Sequence, residues 1–291
     1  MTSFNIWVEG ARPRPLPAAV APILAGAAAA MYAGRVDLLL TVLALLVAVA
    51  LQVGVNYAND YSDGVRGTDE DRAGPLRLTA SGLAEPAQVR RAAFLSFGVA
   101  ALVGLVIVWL TAQWWLLLVG ALCILAAWYY TGGKHPYGYI GLGEVFVFIF
   151  FGLVATVGTT YINVLAAPWY AWCAGAAVGA MACGVLVGNN LRDIPTDKEV
   201  GKRTLAVRLG DQGTRWFYAA LVLLAAASVV AFAAGTSWWA LIALLGLGVC
   251  VAPLKLVLGG ATGRALIPVI QGTGMAGIGI GFGIVVGVFL A

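Results

Sequence analysis

Long apolar runs bounded by charge, glycine or proline follow one another along the chain, and this pattern predicts nine helices. The runs are Pro15 to Ala33, Leu38 to Tyr61, Ala92 to Leu110, Gln113 to Thr131, Leu142 to Ile162, Trp169 to Leu191, Trp216 to Ala234, Ser237 to Val257 and Ala265 to Leu290. A helix crossing the hydrocarbon needs about 20 apolar residues, and each run is of that order. Strands of a membrane barrel would be about 10 residues long and would alternate in polarity; these runs are continuous and rich in Ala, Leu, Val and Gly. The pattern predicts an all-α integral membrane protein, with nine transmembrane helices in a bundle. Residues 1–291 are expected to form a single domain, with no soluble part and no linker.

Composition removes the alternative of a water-soluble fold. The chain is 62% hydrophobic and 10% charged, against roughly 45–50% and about 25% in ordinary globular domains. Cys123, Cys173, Cys183 and Cys250 lie in apolar stretches with no metal-ligand spacing and read as buried, inert thiols. His135 is the only histidine, which excludes a His-based zinc or haem site and leaves oxygen ligands for any metal.

Charge sets the expected orientation. Of the 17 Lys and Arg residues, all but Arg35 fall in the N-terminal segment or in connections on one side. Basic loops stay cytoplasmic, so the N-terminus is placed inside and the C-terminus outside. Arg12 and Arg14 before the first run give it the look of a signal peptide, but Pro13, Pro15, Pro17, Pro22 and the immediate continuation into further spans argue for a retained helix. Topology also accounts for the net charge of +4, so no nucleic-acid partner is called for.

The 13 acidic residues are placed very unevenly. Asp60, Asp63, Asp69, Glu70 and Asp71 gather at the end of the second run, and Asp193, Asp197 and Glu199 at the end of the sixth. On a helix, residues four apart share a face. Asn56 therefore lies over Asp60, Asn59 over Asp63, and Asn189, Asp193 and Asp197 form a second stripe, with Pro195 in its last turn. One such cluster would read as a solvated helix end. Two are harder to read that way, because Asn59/Asp63 and Asn189/Asp193 repeat one spacing four spans apart, which hints at an internal four-helix repeat. Like charges stacked near a membrane are unfavourable and call for a cation between them. Hard oxygen ligands suit Mg²⁺, which bridges carboxylates to substrate phosphates. Arg66, Arg72 and Arg77 follow the first stripe, and Arg192, Lys198, Lys202 and Arg203 surround the second; some are expected to hold phosphate oxygens and others to be topological anchors. Together these features describe a diphosphate site.

In these motifs and in helix count the sequence resembles the UbiA superfamily of intramembrane aromatic prenyltransferases, over essentially its whole length. Asn59-Asp60-x-x-Asp63 is similar to the first aspartate-rich motif of that family and Asn189-x-x-x-Asp193-x-x-x-Asp197 to the second. The run from Asn59 to Asp69, Gly74-Pro75-Leu76-Arg77, Ser81-Gly82, Gly141-Leu142-Gly143-Glu144 and Asn189-Asn190-Leu191-Arg192-Asp193 resemble the branch that uses 1,4-dihydroxy-2-naphthoate. Where the general first motif has a third Asp, four residues beyond the second, this chain has Gly67, with Asp69 the nearest replacement.

The resemblance implies transfer of a polyprenyl group from polyprenyl diphosphate to 1,4-dihydroxy-2-naphthoate, with decarboxylation, forming demethylmenaquinone in a multi-pass cell-membrane protein whose active site faces the cytoplasm. It implies Mg²⁺ held by Asp60, Asp63, Asp69, Asn189, Asp193 and Asp197. Asn56, Asn59, Arg66, Arg72, Arg77, Tyr130, Lys134, Tyr139, Asn189, Arg192, Lys198 and Lys202 are the candidate substrate contacts. Glu144 is a candidate for orienting the acceptor or assisting proton loss, with an ordinary helix-start carboxylate as the rival reading; His135 is a weaker candidate base.

Tyr57, Tyr61, Tyr129, Tyr130, Tyr137, Tyr139 and Phe146 read either as faces for an allylic cation or as an interfacial belt. The glycines of the last span and Gly259-Gly260 read as packing positions, and Gln52 and Gln271 as bonds across the bundle. Two other readings remain open from sequence: another acceptor within the superfamily, such as 4-hydroxybenzoate, a haem or a chlorophyllide, and a divalent-cation transporter built from repeated halves.

Overall fold

Proline and extended residues start the helices, and glycine or left-handed turns end many of them, so the apolar runs become discrete rods. A computed structural model describes residues 3–13, 16–67 and 76–291. Among them every regular element is helical: α1 (Ser3–Ala11), α2 (Pro17–Tyr32), α3 (Leu38–Val65), α4 (Pro86–Thr111), α5 (Leu116–Tyr129), α6 (Gly143–Val164), α7 (Trp169–Glu199), α8 (Leu205–Gly235), α9 (Trp238–Leu258) and α10 (Gly263–Phe289). A short 3-10 turn, Tyr137–Ile140, lies between α5 and α6.

Seven helices, α3, α4 and α6 to α10, are long and apolar enough to cross a bilayer, while α2 and α5 are shorter apolar helices. Each of the nine sequence runs falls on one of these. The protein is a multi-pass membrane protein. The helices differ from the runs chiefly at one end: α3 continues to Val65, α7 to Glu199, and α8 begins at Leu205. Arg192 and Lys198 therefore sit on α7, and Arg208 and Arg215 on α8, rather than in a long connection. α8 breaks at Gly210, whose φ is +72° and ψ 178°, and side-chain partners hold the polar turn that follows. Arg215 grips Asp211 one turn back at 2.6 Å and donates to the carbonyls of Val257 and Ala261, tying α8 to the end of α9.

Packing is inverted relative to a soluble bundle. Ala25, Ala28, Ala29, Ala171, Ala174, Ala177 and Ala180 fill the centre, while Leu102, Leu118, Leu223 and Leu245 face outward. Lipid tails are as apolar as leucine, so helices gain by close backbone approach at small residues. At the crossing of α6 and α7 the approach is extreme. A Cβ on Gly152 would lie 2.6 Å from Gly179 Cα and 2.9 Å from the Gly175 carbonyl. Gly152 belongs to a π-helical stretch of α6, Phe148–Val154, where the backbone widens by one residue per turn.

α1 is an element that the run pattern misses. It is too short to span, and Ile6, Trp7 and Ala11 pack on a cluster containing Tyr57 and Leu78. Tyr57 Oη donates to the Trp7 carbonyl at 2.7 Å, and Asn56 Nδ2 to the Ala11 carbonyl at 2.8 Å, so α1 is fastened to the acidic end of α3.

Gly152→Val is expected to lower the melting temperature of the detergent-purified protein, since overpacking costs about 1–3 kcal/mol; thermal unfolding followed by size-exclusion fluorescence measures it.

Candidate active site

A cavity of about 1120 Å³ runs inside the bundle. It is lined from α1 to α7 and from α10, while no residue of α8 or α9 contributes. On α3 one face lines it from Ala44 through Val47, Ala48, Leu51, Gln52, Val55, Asn56 and Asn59 to Asp63. At 1.5 Å rise per residue this face extends roughly 28 Å. Its Ala44 end is apolar and its Asp63 end polar, where Arg77, Tyr130, Tyr139, Asn189, Asn190, Arg192, Asp197 and Lys202 also reach the cavity. Along the apolar part, Leu105 of α4 and Leu117 of α5 line the cavity while 49% and 42% exposed, so it reaches the outer surface between those helices.

Asp63, only 3% exposed, is the hub of the polar end. Tyr139 Oη donates to its Oδ1 at 2.5 Å, Lys202 Nζ lies 3.5 Å from Oδ1, and Arg77 Nη2 lies 3.6 Å from Oδ2. Lys202 also lies over the Tyr139 ring, 4.6 Å from its centroid. The end of α7 delivers that lysine. Gly201, with φ +75°, takes the left-handed position after the helix, and Lys202 N–H closes back on the Asp197 carbonyl at 2.8 Å. Gly201 N–H bonds Lys198 O in the same turn, the paired pattern of a glycine helix stop. Arg203 N–H then bonds the Tyr139 carbonyl at 2.8 Å, docking this turn on the 3-10 turn.

The second acid of each stripe has a different place. Asp60 is fully buried and does not line the cavity; its oxygens accept the backbone N–H groups of Leu78 at 2.8 Å and Thr79 at 2.9 Å. It pins the segment that carries Arg77. Asp193 also lies off the cavity wall and holds Arg192 through two bonds, at 2.6 and 2.8 Å. The lining acids of the two stripes are thus Asp63 and Asp197, each preceded by a lining asparagine seven residues earlier, Asn56 and Asn190, while Glu9 of α1 is a third acid on the wall. This shared register is shifted one turn on α7 from the Asn59/Asp63 and Asn189/Asp193 correspondence read in sequence.

Other candidates separate in the same way. Asn59 lines the cavity and accepts from Thr131 Oγ1 at 2.8 Å, and Asn189 lines it with Nδ2 on the Val185 carbonyl at 3.1 Å. Arg66 donates instead to the carbonyls of Thr131 and Gly133, joining α3 to the loop after α5. Lys134, His135 and Lys198 are exposed and off the cavity wall. Asp69 and Arg72 lie outside the described residues. Glu144 is buried behind the wall, with Oε1 accepting from Asn190 Nδ2 at 2.9 Å. Among the aromatics, Tyr130, Tyr137, Phe146 and Phe150 line the cavity as a column in which Tyr137 and Phe146 stack at 4.0 Å and Phe146 and Phe150 at 6.0 Å. Burial holds the Tyr137 phenol above its ordinary pKa, and it donates to the Ala126 carbonyl at 2.7 Å.

Residues 19–263 match the UbiA prenyltransferase family. The chain belongs to this family. It is 51% identical over 281 residues to a 1,4-dihydroxy-2-naphthoate octaprenyltransferase of Mycobacterium tuberculosis, covering 95% of this chain and 94% of that protein. To the Escherichia coli protein of the same name it is 40% identical, over 75% of this chain and 72% of that one. A UbiA homologue from Archaeoglobus fulgidus bound to GPP and Mg²⁺ matches in fold with a TM-score of 0.68 and 13% identity, over 96% of this chain and 99% of that one.

Set in the UbiA fold, the donor chemistry of the polar end fits a hard divalent cation. Among the described residues no three His, Cys, Asp or Glu side chains gather. Two carboxylates, Asp63 and Asp197, with the side-chain carbonyls of Asn59 and Asn189 on the same wall, make a sparse all-oxygen set. Mg²⁺ uses few protein ligands and fills the rest with water and phosphate. Sequence reading missed Asn190 and Arg12, which also lines the cavity. Asn190 had a signal, its seven-residue spacing from Asp197; Arg12 was counted only as a topological charge.

Asp63→Asn and Asp197→Asn are expected to reduce turnover at least about 100-fold, the scale of losing one transition-state electrostatic contact, with melting temperature nearly kept. Asp60→Asn is expected to lower melting temperature as well, because leaving a buried backbone N–H without its acceptor costs about 1–3 kcal/mol. Paired kinetic and thermal measurements separate the two classes.

Proposed function

We propose that this UbiA-family chain is a 1,4-dihydroxy-2-naphthoate polyprenyltransferase acting in menaquinone biosynthesis. The polyprenyl group moves from its diphosphate to the ring carbon that bears the carboxylate, releasing carbon dioxide and diphosphate and giving the quinol form of demethylmenaquinone. The observation that carries this reading is one cavity that joins a long apolar wall to a polar end with paired carboxylates and five cations, Arg12, Arg77, Arg192, Lys202 and Arg264. The identity to curated naphthoate octaprenyltransferases supports the same acceptor.

In this reading the prenyl tail lies along the Ala44 to Val55 face and leaves sideways between α4 and α5. Arg77, Arg192 and Lys202 hold diphosphate oxygens and balance the charge that grows as the carbon–oxygen bond breaks. Asp60 and Asp193 act at one remove, by holding Arg77 and Arg192 in place. Asp63 and Asp197, with Asn59 and Asn189, would hold Mg²⁺, which supplies Lewis-acid neutralisation of the leaving group. The aromatic column of Tyr130, Tyr137, Phe146 and Phe150 offers π faces to an allylic cation and keeps water away from it.

We also infer nine crossings with the N-terminus cytoplasmic and residues 1–291 acting as one unit. Trp109, Trp114, Trp115, Trp169, Trp172, Trp238 and Trp239 are all exposed at the connections opposite the acidic end, as an interfacial belt requires, and basic residues crowd the other side.

Purified protein given a polyprenyl diphosphate and each of several acceptors is expected to release diphosphate and form a prenylated product with dihydroxynaphthoate. Chelation by EDTA should stop the reaction and added Mg²⁺ restore it. Prenylation of 4-hydroxybenzoate alone would reassign the acceptor, and Mg²⁺ flux through proteoliposomes without donor consumption would refute the enzyme reading.

A further inference from the structure

Behind the cavity wall, where α6 begins beside α7, lies a buried carboxyl group that does not itself line the cavity. Glu144 is 4% exposed, and its Oε2 is buried without a hydrogen-bond partner among the described residues. Its Oε1 meets one side chain, the Nδ2 of Asn190 at 2.9 Å, while its own backbone carbonyl accepts from Cys183 Sγ at 3.1 Å. Placing a carboxyl here is expensive, so its effect on Asn190 is informative.

In the bond to Asn190 the carboxyl is the acceptor, through Oε1, and a side-chain amide has one donating and one accepting end. Glu144 therefore fixes the amide orientation: Nδ2 is turned to the wall. Asn190 itself lines the cavity, and its Oδ1 meets no donor among the described residues. The surface offered to a ligand is a carbonyl oxygen, which can receive an O–H and repels a carboxylate or a phosphate oxygen. Diphosphate is a poor match for it. Beside it stands the aromatic column: a Cβ on Gly143 would touch Tyr130 and Leu186 at 3.3 and 3.4 Å, which puts the start of α6, Tyr130 and the turn of α7 before Asn190 within one contact. Flat ring faces next to an oriented acceptor atom suit a hydroxylated aromatic.

We propose that Asn190, oriented by the buried carboxyl of Glu144, receives a ring hydroxyl of the aromatic acceptor and so sets which acceptors are taken. Glu144 is then a positioning residue that does not touch substrate. This deepens the prenyl-transfer reading and rests on it. The hydroxyl that donates to Oδ1 leaves its oxygen richer in electron density, which favours attack by the ring carbon; no covalent step involves either residue.

The test compares steady-state constants for dihydroxynaphthoate and its monomethyl ethers in wild type, Asn190→Ala, Glu144→Leu and Glu144→Gln, with melting temperature recorded for each. Asn190→Ala is expected to raise the acceptor KM about tenfold, the equivalent of 1.4 kcal/mol, while the polyprenyl diphosphate KM stays within about twofold. Wild type should prefer the free hydroxyl over one monomethyl ether at least about tenfold in kcat/KM, a preference that Asn190→Ala abolishes. Glu144→Leu should reproduce the Asn190→Ala pattern, and Glu144→Gln, which still offers a carbonyl oxygen to Nδ2, should restore most of the acceptor affinity. If Glu144→Leu does not fold, Asn190→Ala and the ethers decide alone.

An unchanged acceptor KM with the ether preference kept in Asn190→Ala overturns the proposal. So does a raised donor KM with the acceptor KM unmoved, which places Asn190 at the diphosphate. Absence of any prenylated aromatic from wild type overturns the parent reading and this one together, whereas active wild type with indifferent variants overturns this one alone.

Discussion

A carboxylate placed inside a membrane protein has to be met by positive charge or by donors, and Asp63 meets this demand from three separate segments. Arg77 arrives on the chain that returns after α3, Tyr139 on the 3-10 turn before α6, and Lys202 on the turn after α7. Each of those segments is in turn fastened by its backbone: the first by Asp60, the other two to each other through the Arg203 N–H and the Tyr139 carbonyl. The loops at the polar end are therefore ordered around one buried acid, and the walls of that end follow from this order.

The acids consequently divide into those that face the cavity and those that hold the cations facing it. Asp63 and Asp197 line the wall; Asp60 and Asp193 stand behind it, one gripping backbone amides and the other a guanidinium. Glu144 and Asn190 repeat this arrangement where α6 meets α7, with a buried acid again fixing the attitude of a lining side chain. In a lipid solvent this is an economical way to preorganise a site. A side chain with one rotamer imposed from behind loses little further freedom when a ligand arrives.

Much of this was legible in the residues. Continuous apolar runs located the helices because each must satisfy its own backbone in hydrocarbon, and clustered acids marked the polar end because acids are so scarce elsewhere. The division of labour was not legible. Asp60 and Asp63 look alike as text, yet at 3.6 residues per turn they point about 60° apart around α3, and only the path of the returning segment decides which one faces inward. Asp193 is set by its immediate neighbour, Arg192, a pairing that spacing rules do not treat. Arg66 looked like a phosphate ligand but closes a loop through the carbonyls of Thr131 and Gly133. α1 escaped because a nine-residue helix is too short to register as a span, although it fastens to Asn56 and Tyr57 at the polar end.

Under the proposed function, the gap between α4 and α5, where Leu105 and Leu117 are both cavity wall and outer surface, makes the bilayer itself the reservoir from which a long-tailed donor enters and into which the product returns. Supply is then governed by mole fraction in the leaflet rather than by molarity in water. Dilution with inert lipid would slow such a protein even when the total amount of donor in the tube is unchanged.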